Sequence, residues 1–245
     1  MNYAISSLKY FPAYLIEYFA IYNDIRKTGF INRYNVLSIG AGTCVDYGGL
    51  YFALDRDLSK IHYVGYDIIN WSYIDNFGNR NFEFINEDIL SRYQLERDDH
   101  NVIIFPKSIG EFNHRDFDEL CQIIENSDFV NDRIVLVSAM RASSINHDTD
   151  RFVRIVEIFK NQFGFVDLDP PHQHWYYNEN YYLSRISPGF SYPSHIIDYV
   201  RNLGDYCPVC VDNGRSCYND CDNLNRYPIT KCKHIRYQIV RLERT

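Results

Sequence analysis

Two glycines and two carboxylates stand in the first part of the chain in a pattern that fits nucleotide binding. Gly40 and Gly42 follow the apolar run 35–39, Asp67 ends a second apolar run, and Asp88 closes a third. Glycines at a strand-to-helix corner let the backbone approach a ligand closely, because they carry no side chain. A carboxylate at the end of the next strand can accept hydrogen bonds from both ribose hydroxyls. The spacing therefore predicts a nucleotide-binding corner, whereas each feature alone is also typical of a plain turn.

The residues between these positions predict strands that alternate with helices. We expect strands at 35–39, 61–66, 82–90, 101–105, 133–138, 163–168 and 234–242. We expect helices at 3–27, 46–54, 115–126 and 148–163, with Pro12 at a helix start or break. This alternation favours a doubly wound, mainly parallel α/β sheet that binds ligands at the carboxyl ends of its strands. Asp67, Asp88 and Lys107 all fall at that edge.

Three side chains near the end of the fourth strand are candidates for a general base. They are Lys107, Glu111 and His114. Each could take a proton from a reacting group at the predicted ligand edge. Each is also a common surface or structural residue, so the sequence does not choose among them.

Three successive segments resemble the class I S-adenosylmethionine-dependent methyltransferases. They are VLSIGAGT at 36–43, VGYD at 64–67 and INEDIL at 85–90. The resemblance covers roughly residues 30–165 and implies a Rossmann-like, seven-strand-type sheet. It also implies S-adenosylmethionine (SAM) as the cofactor and methyl transfer by in-line displacement, for which alignment of the acceptor and exclusion of water matter most. It identifies a superfamily and not a methyl acceptor.

The resemblance also implies roles for particular residues. The glycine corner, Gly40 and Gly42, would pass under the methionine part of the cofactor. Asp67 would hold the ribose, and Asp88 would meet the adenine amino group. Ser38 stands where the family often has an acid, and its hydroxyl could hydrogen-bond the cofactor's amino group.

Two departures from the family pattern keep other functions open. Ser38 replaces the frequent acid, and Cys44 replaces a frequent third glycine. These favour, as a rival, a non-catalytic binding or scaffold protein with a methyltransferase-like fold. A nicotinamide-nucleotide oxidoreductase is a second alternative, but the glycine pattern lacks the third member which that class uses.

Five of the seven cysteines cluster near the carboxyl terminus. They are Cys207, Cys210, Cys217, Cys221 and Cys232. Four thiolates from this set would complete a tetrahedral zinc site, since Cys-x2-Cys directs two sulfurs at one centre. His234 is a weaker candidate ligand, and a redox pair of Cys207 and Cys210 is the main competing interpretation. The isolated Cys44 and Cys121 are expected to be ordinary buried thiols.

The segment DPPH at 169–172 is similar to the Asp-Pro-Pro-aromatic loop of amino-group methyltransferases. In that class the loop follows the fourth strand, whereas here it follows the sixth, so we interpret it as a rigid turn. The aromatic tract 172–182 could stack a planar substrate, although buried packing is the commoner fate of such residues.

These features predict four regions. Residues 1–30 form an N-terminal helical cover, and 31–170 form the cofactor-binding core. Residues 171–233 form an aromatic and cysteine-rich insertion that binds structural zinc, and 234–245 return as the closing strand of the core sheet.

The overall composition restricts the partners and the location that we expect. A formal net charge of -7 and a pI near 5.6 provide no general basic field for nucleic acid. We therefore expect a small-molecule or protein methyl acceptor, while a local basic patch for nucleic acid is not excluded. The apolar N-terminus lacks a signal-peptide pattern, and no apolar run is long enough to span a membrane. The sequence predicts a cytoplasmic location with reduced thiols, and it leaves the oligomeric state open.

Overall fold

A computed structural model gives the architecture of this chain. It describes residues 3–71, 80–95, 98–141, 144–169, 175–177, 181–182, 231–232 and 235–244. The chain divides into two compact units. One unit consists of residues 1–16 and 180–232, and the other consists of residues 17–179 and 233–245. The second unit contains the predicted nucleotide-binding corner.

The described helices and strands alternate over most of the chain. The helices are α1 (Tyr3–Thr28), α2 (Val45–Ala53), α3 (His114–Glu125) and α4 (Ile145–Phe163). The strands are β1 (Tyr34–Ile39), β2 (Ile61–Asp67), β3 (Phe82–Asn86), β4 (Val102–Pro106), β5 (Arg133–Ala139), β6 (Phe165–Asp167), β7 (Trp175–Tyr177), β8 (Tyr181–Tyr182), β9 (Lys231–Cys232) and β10 (Ile235–Arg244). Short 3-10 helices cover Leu58–Lys60 and Ile89–Ser91.

The main sheet has the strand order β3-β2-β1-β4-β5-β10-β6, and β7 also pairs with β10. The pairs β2–β3, β1–β2, β1–β4 and β4–β5 are parallel. The closing strand β10 is antiparallel to β5, β6 and β7. The predicted mainly parallel, doubly wound sheet is therefore confirmed, and its parallel half brings the carboxyl ends of β1, β2, β3 and β4 to one edge.

The smaller unit includes a two-stranded sheet. Its strands β8 and β9 are antiparallel, with Tyr181 opposite Cys232 and Tyr182 opposite Lys231. Apart from β7, β8 and β9, the predicted insertion 171–233 lies outside the described residues. The predicted region boundaries at 30, 170 and 233 stay predictions.

The hydrophobic core follows from the alternation of side chains along each strand. On one face, Leu37 and Ile39 of β1 and Ile103 and Phe105 of β4 pack in one cluster with apolar residues of α3 and α4. On the other face, α1 and α2 cross so closely that a Cβ atom on Gly49 would lie 2.5 Å from the Cβ of Tyr18. Helices therefore cover the sheet on both faces.

The N-terminal helix differs from its prediction at Pro12. We expected a helix start or break there, but α1 continues through this residue from Tyr3 to Thr28. Proline removes one backbone hydrogen bond from a helix. The turns after Pro12 are packed through the buried Leu15, Ile16 and Tyr18, and such packing supplies most of a helix's stability. In the described part of the chain, none of the helices combines the length and the hydrophobicity that a membrane span requires.

Candidate functional site

The corner after β1 is built from backbone that only a few residue types adopt easily. Gly40 and Gly42 have φ angles of 71° and 54°, in the left-handed region that glycine enters without strain. A Cβ atom on Gly40 would lie 2.4 Å from the Cβ of Ser108, which follows β4. Glycine is therefore required at position 40 both by the backbone angle and by the close approach of a second chain segment.

Cys44 stands where the family often has a third glycine, and the structure shows what that position demands. Its φ angle is 52°, so it is a left-handed residue immediately before α2. The side chain is buried, and burial raises the pKa of its thiol. Burial likewise raises the pKa of Cys121, to about 11. Both cysteines are buried thiols, as predicted.

Asp67 ties the glycine corner to the end of β2. Its Oδ2 accepts a hydrogen bond of 2.7 Å from the Gly42 N–H, and its Oδ1 accepts one of 2.8 Å from the Ile69 N–H. The N–H groups of Gly40 and Ala41 donate to the Tyr66 carbonyl just before it. A carboxylate has about four lone-pair sites, so acceptor capacity for a ligand remains after these two bonds.

Asp88 lies two residues beyond β3, which ends at Asn86, so the predicted strand 82–90 is too long at its carboxyl end. It caps the short helix Ile89–Ser91, where one carboxylate oxygen accepts a 3.0 Å hydrogen bond from the Leu90 N–H. The side chain is exposed at the edge of the sheet. This cap fixes the orientation of the carboxylate.

A pocket of about 250 Å³ lies where these elements meet. Its lining includes Gly40, Asp67, Asp88, Ser108 and Glu111. The structure thus brings together three of the five residues predicted to bind the cofactor, together with one of the three predicted bases. Gly42 contributes through its bond to Asp67 and does not itself line the pocket.

Five of the lining residues are acidic. They are Asp67, Glu87, Asp88, Glu111 and Asp116. Lysine, arginine and histidine are absent from the described residues that line this pocket. Glu87 pairs with Arg92 and Glu111 with Arg141, and the other three carboxylates leave an excess of negative charge that favours a cationic ligand.

The three candidate bases occupy different surroundings. Glu111 lines the pocket, and burial raises the pKa of its carboxyl while the nearby Arg141 lowers it in part. Lys107 points its ammonium at Glu17 of α1, with 2.6 Å between Nζ and Oε2. His114 is exposed at the first position of α3 and packs edge-on against His147. Among the three, the geometry is most suitable for a base at Glu111.

Ser38 is fully buried in β1 and does not line the pocket. Its hydroxyl lies close enough to the carboxylate of Asp46 to lower the pKa of that carboxyl. It forms no ordinary hydrogen bond with any of the described residues. Asp46 was not among the predicted site residues. The sequence feature that could have identified it is an acidic residue in the first turn of the otherwise apolar helix α2.

Asp46 is fully buried behind the glycine corner. Both of its carboxylate oxygens accept from the Tyr63 hydroxyl, at 2.9 and 3.0 Å. Burial raises the pKa of Asp46 to about 6, and the neighbouring hydroxyls of Ser38 and Tyr63 offset part of this effect. Asp46 thus links α2 to β2 beneath the corner.

The turn at 169–172 is described only at Asp169. Its carboxylate accepts hydrogen bonds from the backbone N–H of Arg241 in β10 and from the Arg241 guanidinium, the shortest of which are 2.7 Å. This contact anchors the chain after β6 to the closing strand, in keeping with a structural turn. The aromatic tract is described only as the backbone of β7 and β8.

The predicted metal ligands Cys207, Cys210, Cys217 and Cys221 lie outside the described residues, and Cys232 is described only as part of β9. Within the ranges given above, no group of three or more His, Cys, Asp or Glu side chains could hold a metal ion. The zinc site stays a prediction.

No protein-family model matches the sequence, and no curated protein matches it either. Solved structures of similar shape include the plantazolicin methyltransferase BpumL in complex with SAH. It is 11% identical, with 99% of this chain and 88% of that chain covered and a TM-score of 0.48. The magnesium protoporphyrin IX methyltransferase from Synechocystis PCC 6803 with bound SAM is 10% identical, with 92% and 77% covered and a TM-score of 0.40.

A third similar structure is the methyltransferase domain of bacterial CtHen1, at 10% identity, with 64% of this chain and 86% of that chain covered and a TM-score of 0.41. Because these TM-scores are all below 0.5, the fold assignment rests on the strand order and on the elements around the pocket. By that strand order and the helices on both faces of the sheet, the chain has a Rossmann-like α/β fold.

Proposed function

We propose that this protein is a SAM-dependent methyltransferase that acts by in-line displacement on a small-molecule or protein acceptor. The observation that carries the proposal is the pocket at the carboxyl edge of the sheet, where Gly40, Asp67 and Asp88 meet. SAM supplies an electrophilic methyl group on a sulfonium when it is bound. The protein's part is to bind the nucleoside, orient the acceptor and exclude water.

The residues that line the pocket suit the cofactor roles expected of them. Asp67 retains acceptor capacity for ribose hydroxyls, and Asp88 has an oxygen available for an adenine amino group. Glu111, at the same pocket, is the residue we propose to receive a proton from the acceptor.

The charge of the pocket supports SAM over a nicotinamide nucleotide. Five carboxylates line it without a basic side chain among the described lining residues, so the two phosphates of NAD would meet like charges. The sulfonium and ammonium groups of SAM meet opposite charges instead. The charge of the pocket therefore supports a methyltransferase better than it supports a nicotinamide-nucleotide oxidoreductase.

Binding measurements test this proposal directly. Isothermal titration calorimetry with SAM, its demethylated product S-adenosylhomocysteine (SAH) and NAD should show binding of the first two and none of NAD. No binding of SAM or SAH at millimolar concentration would contradict the methyltransferase. Binding without turnover on any cell extract would instead support a non-catalytic binding or scaffold protein, which the departures at Ser38 and Cys44 favour.

A matched pair of variants assigns the binding to this pocket. In Asp88→Asn, the amide oxygen can keep the cap to Leu90, and the amide nitrogen then turns a donor toward the adenine amino group. We expect the Kd for SAM to rise roughly tenfold. Asp57 caps another short helix in the same way, through the Ser59 N–H, but lies outside the pocket. Asp57→Asn should leave the Kd unchanged.

The cysteine cluster supports a second element of the proposal, a structural zinc ion. Four of Cys207, Cys210, Cys217, Cys221 and Cys232 would bind it, and no catalytic role is assigned to the metal. The spacing of the cysteines is the support for this site.

A further inference from the structure

Glu17 is a carboxylate buried on α1, at 2% exposure. Burial raises its pKa, while the charge of Lys107 and the hydrogen bond from it lower the pKa in part. The Lys107 ammonium lies 2.6 Å from Oε2 of Glu17, and the Lys107 side chain is itself only 25% exposed. A buried charge is retained in a protein when a partner compensates it, so each of these groups depends on the other.

Lys107 adopts backbone angles that a lysine does not favour. Its φ angle is 64°, in the left-handed region, where the Cβ atom is crowded by the backbone. Its N–H group donates to the Phe105 carbonyl at 2.9 Å and to the Ala139 carbonyl at 3.1 Å. Glycine would adopt this turn without strain, but glycine has no ammonium to reach Glu17. Strained residues of this kind cluster at functional sites, where the surrounding structure holds them in place.

The residue after Lys107 forms a wall of the cofactor pocket. Ser108 is buried, lines the pocket, and donates from its hydroxyl to the Ile39 carbonyl at the end of β1. Its Cβ atom packs against Gly40 so tightly that no side chain fits there. The position of the turn at 107–108 therefore determines how closely this wall approaches the glycine corner.

We propose that Glu17 is a positioning residue for the cofactor pocket and acts through Lys107. The ion pair keeps Lys107 in its left-handed backbone conformation, and Ser108 therefore stays packed against Gly40. Neither Glu17 nor Lys107 lines the pocket, so the effect on the ligand is indirect. This inference rests on the proposed function, because it assigns Glu17 to the same SAM-binding pocket.

Titration calorimetry with SAH, run beside thermal unfolding, tests the inference on the full chain. We expect Glu17→Gln to raise the Kd for SAH roughly tenfold at a temperature where the variant is folded. Lys107→Met should weaken binding to a similar extent, whereas Lys107→Arg, which keeps the cation, should stay near the wild-type value. An ion pair that only stabilises the fold would lower the Tm and leave the Kd unchanged, and that result would overturn the inference.

A double variant and a control complete the experiment. Glu17→Gln with Lys107→Met removes both charges of the ion pair, so it should fold even if a single variant does not. Its Kd should equal that of whichever single variant binds SAH more weakly, because the two substitutions remove the same ion pair. Arg26 of α1 pairs with Asp55 on the surface at 2.6 Å, and Arg26→Gln should leave the Kd unchanged.

The outcomes separate this inference from the proposed function. If the wild-type protein does not bind SAH, both are overturned. If it binds SAH and the double variant binds equally well, only the positioning role of Glu17 is overturned.

Discussion

The buried carboxylate of Asp46 makes the stability of this protein depend on pH in one direction. Burial raises its pKa to about 6 from the ordinary 3.8 of the unfolded chain. Between these values the folded protein holds a proton that the unfolded chain has released. Because the folded state then binds more protons, this group's stabilising contribution is complete below about pH 3.8 and is lost as the pH rises through about 6.

Replacing Asp46 by asparagine should remove that dependence. The amide oxygen can still accept from the Tyr63 hydroxyl, but the side chain no longer ionises. The pKa difference corresponds to about 3 kcal/mol at full ionisation, which sets the upper limit of the effect. Urea unfolding from pH 4 to 7 should show a smaller decline in the free energy of unfolding for Asp46→Asn than for the wild type.

The control for this measurement is Asp132→Asn, which alters an exposed carboxylate. The free energy of unfolding of this variant should decline between pH 4 and 7 by as much as that of the wild type. If Asp46→Asn also follows the wild-type profile, Asp46 ionises as in an unfolded chain, and burial does not control its pKa.

At the scale of secondary structure, the crossing of α1 and α2 fixes the helix that carries the glycine corner. A Cβ atom on Gly49 would lie 2.5 Å from the Tyr18 Cβ and 2.6 Å from the Phe19 nitrogen. Backbone cannot move aside as a flexible side chain can. Since Asp46 joins α2 to β2 one turn earlier, a shift of α2 would disturb the corner as well.

Gly49→Ala should therefore destabilise the protein by overpacking, by roughly 3 kcal/mol. Gly164→Ala is the comparison, because Gly164 has a φ angle of 72° but no atom within 4 Å of its Cβ position. It should cost about 1 kcal/mol from backbone strain alone. Urea unfolding measures both values, and equal losses for the two variants would contradict a close helix crossing at Gly49.

For the whole molecule, the cysteine cluster predicts metal dependence. Metal analysis of reduced, untagged protein should find about one zinc ion per chain. Cys207→Ser should lower that content, whereas Cys121→Ser should not, because Cys121 is a buried thiol of α3. Protein that contains no stoichiometric zinc or iron would remove the metal site and leave a redox pair as the interpretation of Cys207 and Cys210.

The sequence by itself determined the order of strands and helices and the edge at which the site forms. Periodicity and glycine placement are local properties, and the carboxyl ends of neighbouring parallel strands must meet. Gly40, Asp67 and Asp88 could therefore be assigned to one region before any contact was known. The predicted pocket residues lie together for this reason.

Only the tertiary structure decided which side chains pair and which are withdrawn from solvent. It paired Lys107 with Glu17, brought Asp46 next to Ser38, and inserted β10 between β5 and β6. The first and third of these arrangements join residues far apart in the chain, and the energies of the polar contacts depend on burial. No local pattern specifies burial of a polar side chain, because the same residue is stable in water or beside a buried partner.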